Sequence, residues 1–182
     1  MGNRLSKIVT RTGDDGTTGL ADGSRLSKEH PRIAAMGSVD ELNSQLGVLL
    51  AEDLPPDIRA VMLMIQNDLF DLGGALALPE RDQFAQNKLA WLDERTAHYN
   101  ADLLPLREFM LPGGSRAGAL CHLARSVARR AERELVSLAQ YDVVPQHALA
   151  YLNRLSDFLF VLSRCINRAQ AVPETLWQRD IT

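Results

Sequence analysis

Three segments of the chain combine residue types in spacings that chemistry can use. The first is KIVTRTGDDGTTGL, residues 7–20. Glycines let a backbone approach phosphate oxygens closely, and successive amide hydrogens form an anion-binding concavity. Thr10, Thr12, Thr17 and Thr18 add hydroxyls, while Lys7 and Arg11 add positive charge. No Gly-Lys-Ser/Thr closes the segment and no strand precedes it, so it is not a Walker A loop. By composition alone a polar N-terminal arm explains it at least as well. The second segment is RSVARRAER, residues 125–133. At about 100° per residue, Arg125, Arg129, Arg133 and Glu132 share one helical stripe with Arg130 at its edge. Leu123, Val127, Ala131, Leu135 and Leu138 read as the opposite, inward face. A solvated face is the plain alternative. However, arginines at i, i+4 and i+8 repel one another unless an anion lies over them, and guanidinium forks match phosphate geometry. The third is YLNRLSDFLFVLSR, residues 151–164, where Asn153, Asp157, Phe160 and Arg164 fall on a narrow stripe beside Leu152, Leu155, Leu159 and Leu162. Asn153 is a candidate base-binding amide. Asp157 and Arg164 are a candidate ion pair, worth about 0–1 kcal/mol if exposed.

These groups need elements to hold them. The first thirty residues carry Gly13, Gly16, Gly19 and Gly23 with almost no apolar periodicity, and read as a long loop. From Pro31 a helix is expected, with Ile33, Met36, Val39, Leu42, Leu46 and Leu49 at helical spacing. Pro55-Pro56 breaks it and starts a second helix, which carries Ile58, Val61, Met62, Ile65, Leu69 and Leu72 and ends at Pro79. A third, less regular helix runs from about Leu89 to Leu104. The turn FMLPGGS, residues 109–115, places Ser115 as an N-cap. Two long helices follow, Arg116 to Gln140 and Pro145 to Ala171. The expected fold is all-α: a five-helix bundle of up-down, ferritin-like packing (31–172), an N-terminal arm (1–30) and a short tail (173–182), together one domain.

Several functions drop out. The chain of 182 residues has a net charge of −3, so a phosphate site needs a local basic patch and nucleic acid is not an expected partner. His30, His98, His122 and His147 are scattered without a Glu-x-x-His pair, which argues against a di-iron bundle. No Cys-x-x-Cys occurs, and nothing resembles a nucleophile elbow. Cys121 and Cys165 read as buried free thiols in a reducing cytoplasm, with His122 turned to a different side of the helix from Cys121. No signal peptide or membrane span is apparent.

Taken together, KIVTRTGDDGTTGL, GSVDELNS at 37–44, FMLPGG at 109–114, RRAER at 129–133 and YLNRLSD at 151–157 resemble the PduO-type ATP:cob(I)alamin adenosyltransferases, in the family's order and over most of the chain. The resemblance implies transfer of the 5′-deoxyadenosyl group of ATP to cob(I)alamin or a related corrinoid, with release of triphosphate and with Mg2+ on the phosphates. It implies a homotrimer with active sites between subunits. Lys7, Thr10, Arg11, Thr12, Gly13, Thr18, Gly19 and Lys28 of the arm would surround ATP, together with Arg129, Arg130, Glu132, Arg133 and Asn153. Asp40 and Arg125 would pair across the subunit interface, and Phe109 would lie beside the corrin and help strip cobalt of its lower ligand. Arg129, Arg125, Asp40 and Phe109 are thus the candidate catalytic set. A cobalamin reductase or an adenosylcobalamin-dependent enzyme would be a natural partner. Val9 stands where the family often has tyrosine, and residues 79–105 and the tail match no signature. Two rival readings are a helical bundle that senses ATP or carries a corrinoid without chemistry, and a structural oligomer with a solvated charged stripe.

Overall fold

The structure, a computed structural model, describes residues 8–78, 84 and 86–179. Five helices account for most of it: α1 (Pro31–Leu50), α2 (Pro56–Ala77), α3 (Gln86–Asn100), α4 (Arg116–Leu138) and α5 (Ala148–Ala169). Local chemistry explains where they start. Pro31 occupies the first turn of α1, where its missing N–H is no loss, and His30 Nδ1 accepts from Arg32 N at 3.1 Å. Pro56 opens α2 in the same way. Ser115 caps α4, its Oγ accepting from Gly118 N at 3.0 Å.

α1, α4 and α5 form the centre of the bundle; α2 packs on α1, and α3 on α5. The inward face of α4 is mostly small, with Ala124, Ala128 and Ala131 fully buried, which lets α4 lie close to its neighbours. α1 and α5 supply the bulk through Leu42, Leu46, Leu49, Leu152, Leu155, Leu159 and Leu162, all fully buried. Each such leucine contributes about 1.5–3 kcal/mol of transfer free energy. No helix among the described residues is long and apolar enough to cross a membrane.

Two buried polar groups fix how the ends meet. Arg32, 1% exposed, donates to Leu76 O at 2.8 Å, to Val143 O at 3.0 Å and to Asp142 Oδ2, tying the start of α1 to the end of α2 and to the α4–α5 loop. The guanidinium in turn holds the Asp142 carboxyl below its ordinary pKa. At the opposite end of α5, Asn167 Oδ1 accepts from Ser115 N at 2.9 Å and from Ser115 Oγ at 3.0 Å, while its amide donates to Gly113 O at 3.2 Å. A Cβ on Gly118 would come within 2.1 Å of Asn167 Oδ1, and one on Gly114 within 2.3 Å of Nδ2, so this approach requires glycine at both positions.

Several expectations need correction. The arm is not simply loop: Thr17–Gly19 (β1) pairs antiparallel with Arg25–Ser27 (β2), a hairpin turned through Gly23 at φ 89°. α3 stops at Asn100, short of Leu104, and α4 at Leu138, short of Gln140. α5 runs from Ala148 to Ala169, not from Pro145 to Ala171, because His147 adopts a left-handed φ of 69° and Ala171 one of 54°. Leu123 is 46% exposed and does not belong to the inward face; Val127, Ala131, Leu135 and Leu138 are buried as expected, together with Cys121, Ala124 and Ala128. Asp157 and Arg164 do not pair. They are two turns apart, and the buried Arg164 instead donates to Glu174 Oε1 at 2.7 Å and to Leu104 O at 2.8 Å. Cys121 is buried but Cys165 only partly so.

The Asn167 contact generates a stability prediction. Gly118→Ala should cost about 1–3 kcal/mol through overpacking, measured by urea unfolding. In a Gly118→Ala/Asn167→Ala double variant the clash has no partner, so the two losses should be less than additive. Additive losses would mean that the two residues do not meet as described.

Candidate functional site

One face of α4 connects two cavities. Near its N-terminal half, His122 and Arg125 line a cavity of about 720 Å3 with Leu106, Phe109, Met110, Pro112 and Phe160. One to two turns on, Arg129, Glu132 and Arg133 line a second cavity, of about 400 Å3, with Val136, Ser137 and Gln140. The first has the composition of a binding site for a large apolar body with polar edges, the second that of an anion site. Because consecutive arginines in the row are four residues apart, they advance about 6 Å per step along the helix axis.

The arginine row is not neutralised within the chain. Among the described residues no ion pair involves Arg125, Arg129 or Arg133. Neighbouring charges about 6 Å apart repel by about 0.7 kcal/mol in bulk water and about 3 kcal/mol at an effective dielectric of about 20. Burial, followed by the charge of Arg129, lowers the pKa of Arg125, whose Nε is buried without a hydrogen-bond partner. Arg130, at the edge of the stripe, is paired with Glu41 of α1. Glu132 accepts from Asn153 Nδ2 at 3.1 Å, which brings the α5 amide to the α4 stripe.

Phe109 is 78% exposed on a segment held from behind by the C-terminal tail. Its carbonyl accepts from Trp177 N at 2.7 Å, Leu111 N donates to Thr175 O at 2.8 Å, and Met110 bridges Leu176. The Arg164–Glu174 pair anchors the tail to α5. The tail thus backs the Phe109 segment, a role that the sequence did not reveal because isolated pairing of two short segments has no periodic signature.

In the arm, Lys28 Nζ donates to Gly13 O at 2.8 Å, closing the base of the hairpin over the 10–13 turn. A Cβ at Gly13 would lie 3.0 Å from Thr17 O and 3.3 Å from Lys28 Nζ, so the close approach favours glycine. Arg11 sits at a left-handed φ of 59°, and Thr10 Oγ1 lies 3.0 Å from Thr12 Oγ1. Thr18 and Gly19 are in β1. Arg25, which sequence reasoning passed over, organises the arm by donating to Thr12 O and Thr17 Oγ1. Lys7 lies outside the described residues.

Not every predicted residue converges. Asp40 is exposed on the α1–α2 face, beside Asn43, Gln66 and Phe70, and among the described residues it forms no ion pair with Arg125 of its own chain. His122, given no site role by the sequence, lines the Phe109 cavity. It is 3% exposed, and burial together with the Arg125 charge pushes its pKa down to about 4. Its place one turn before Arg125 was the available signal.

The match to a family model decides the lineage. Residues 8–166 match the model for cobalamin adenosyltransferase. The chain belongs to the cobalamin adenosyltransferase family. It is 58% identical to a cobalamin adenosyltransferase of Cupriavidus metallidurans, covering 99% of this chain and 98% of that one. It is 40% identical to a corrinoid adenosyltransferase of Bacillus subtilis, covering 96% and 93%. Among solved structures, a variant PduO-type ATP:corrinoid adenosyltransferase from Lactobacillus reuteri complexed with cobalamin and ATP superposes with a TM-score of 0.89 at 34% identity, over 95% of this chain and 97% of that one. The match runs from residue 8 of the arm into α5 of this adenosyltransferase-family chain.

The arm has few apolar anchors: Ile8 and Val9 are 90% and 70% exposed. Amides of residues 10–13, which precede the hairpin, should therefore exchange quickly in the free protein and become protected when ATP is added. Equal protection with and without ATP would remove the arm from the nucleotide site.

The low pKa of His122 has its own signature. The unfolded chain takes up this proton near pH 6.5 and the folded chain only near pH 4, so stability should fall as pH drops through that interval. His122→Asn should flatten this part of the urea-midpoint profile. An unchanged slope would mean that the ring is not held neutral.

Proposed function

We propose that the chain transfers the 5′-deoxyadenosyl group of ATP to the cobalt of cob(I)alamin or a related corrinoid and releases triphosphate. One observation carries this reading: a single face of α4 joins an arginine-lined cavity to a largely apolar cavity edged by Phe109. ATP and a corrinoid would have to meet across such a junction. In the reaction the electron pair of cobalt(I) forms the bond to C5′ while the C5′–oxygen bond breaks and its electrons leave on triphosphate. Cobalt ends formally as cobalt(III). No side-chain nucleophile or general base is required, and charge stabilisation and alignment remain as the protein's tasks.

Arg129 and Arg133 would neutralise the departing triphosphate, with the amides and hydroxyls of residues 10–13, Thr18, Gly19 and Lys28 closing over it. Lys7 completes the arm in this reading. Arg130 would act from its pair with Glu41, and Glu132 with Asn153 would contact the nucleoside end. Phe109, exposed and backed by the tail, would stand against the corrin and exclude the lower ligand and water, which favours the reduced metal. Magnesium would arrive on the phosphates, since it keeps several waters and binds readily to substrate phosphates.

Asp40 makes sense in a trimer. Its exposed position and the buried, unpartnered Arg125 Nε support a pairing between subunits, which would complete each site at an interface. Two free cysteines support a cytoplasmic setting, where a reductase could supply cobalt(I) and an adenosylcobalamin-dependent enzyme could take the product.

The test is turnover of ATP and chemically reduced cobalamin. Arg129→Ala should lower kcat/KM by about 2–4 kcal/mol of transition-state stabilisation, on the scale of removing one donor to developing negative charge. Arg129→Lys should restore only part of it, because an ammonium lacks the fork. Unchanged turnover in Arg129→Ala would leave the stripe a solvated surface.

A further inference from the structure

The wall of the Phe109 cavity carries a polar group for which the transfer chemistry has no task. His122 is buried, and neither Nδ1 nor Nε2 has a hydrogen-bond partner. Buried polar atoms in folded proteins are nearly always paired, so an imidazole with both nitrogens free calls for an explanation. One turn along α4, Arg125 Nε is likewise buried and unpartnered, and both residues line the same cavity. The wall around them is mostly apolar, through Leu106, Met110, Pro112 and Phe160, and exposed Arg107 and Glu108 lie at its edge. The Phe160 ring packs 6.0 Å from the imidazole at 65°, setting the ring against α5.

A neutral imidazole offers one N–H donor and one lone pair. The neighbouring Arg125 repels a cationic ligand group. An anionic group could only accept, leaving the imidazole lone pair unused. A carboxamide, uncharged and both donor and acceptor, satisfies either tautomer. Primary amides are the polar groups on the rim of corrinoids.

We propose that His122 is a corrinoid-recognition residue whose imidazole hydrogen-bonds a rim carboxamide of the macrocycle entering this cavity. The proposal rests on the reading of that cavity as the corrinoid site. It assigns His122 to binding and orientation, not to the alkyl transfer itself.

Binding of adenosylcobalamin and of ATP to the full chain tests it, measured separately by equilibrium dialysis on wild type, His122→Leu and His122→Asn. Loss of a buried hydrogen bond predicts about a tenfold rise in the Kd for adenosylcobalamin in His122→Leu. His122→Asn, which keeps a donor and an acceptor, should recover most of it, and Kd for ATP should stay within about twofold. An unchanged Kd for adenosylcobalamin, or equal weakening of both ligands without rescue by Asn, overturns the proposal. Should His122→Leu fail to fold, nitrogen-15 spectra of histidine-labelled wild type decide. The ring resonance that titrates near pH 4 should move on addition of adenosylcobalamin and not of ATP; a resonance that ignores the corrinoid overturns the proposal. Wild type that binds no corrinoid at all would bring down the cavity assignment with it, whereas normal binding with an indifferent His122 would bring down this proposal alone.

Discussion

A single buried carboxamide sets the position of the helix on which the site depends. Asn167, 1% exposed on α5, holds Ser115 N, Ser115 Oγ and Gly113 O at once, so the turn before α4 has one place to be. Ser115 then spends its hydroxyl twice, on Asn167 and on the Gly118 amide that starts the helix. Glycines at 114 and 118 admit this approach because any side chain would overlap Asn167. Register follows. With the first turn of α4 fixed against α5, the alanine face turns inward, and His122, Arg125, Arg129 and Arg133 fall where the two cavities are. The same turn leads back to Phe109, whose other side is held by the tail.

The charge distribution gains meaning from that geometry. The chain is slightly acidic overall, yet it keeps three guanidinium groups along one helix without ion-pair partners among the described residues. Nearby acids are committed elsewhere: Glu41 to Arg130 and Glu132 to Asn153. Repulsion along the row is tolerable for an exposed helix face and is relieved when a polyanion lies over it. Under the proposed function the two parts divide the labour: the helix would be preorganised for charge, and the arm, rich in glycine and threonine, would close over the ligand.

How much of this was legible in the sequence depended on periodicity. The five helices were readable because leucines, isoleucines and alanines recur at helical spacing, and because Pro31, Pro56 and Ser115 mark starts. The arginine row was readable for the same reason. What escaped reading were contacts between distant segments that leave no periodic trace. Nothing in the spacing of Asn167 announces Ser115 as its partner, and Glu174 lies outside the helix carrying Arg164, so Asp157 looked the better match. Leu123 reads inward because it lies away from the arginine stripe, but it sits on the flank of the buried row and is left exposed. The arm read as loop because a three-residue pairing is too short to alternate, and its order comes from Arg25 and Lys28 reaching back across the hairpin. Asp40 and Arg125, which the resemblance pairs between subunits, form no ion pair within the one chain described.

The most direct test of the central claim is anaerobic incubation of the full chain with ATP, magnesium and chemically reduced cobalamin, following the visible spectrum for the cobalt–carbon product while triphosphate is quantified. Adenosylcobalamin and triphosphate should appear together, one for one. ATP binding without formation of the cobalt–carbon bond, or release of phosphate or diphosphate in place of triphosphate, would contradict it.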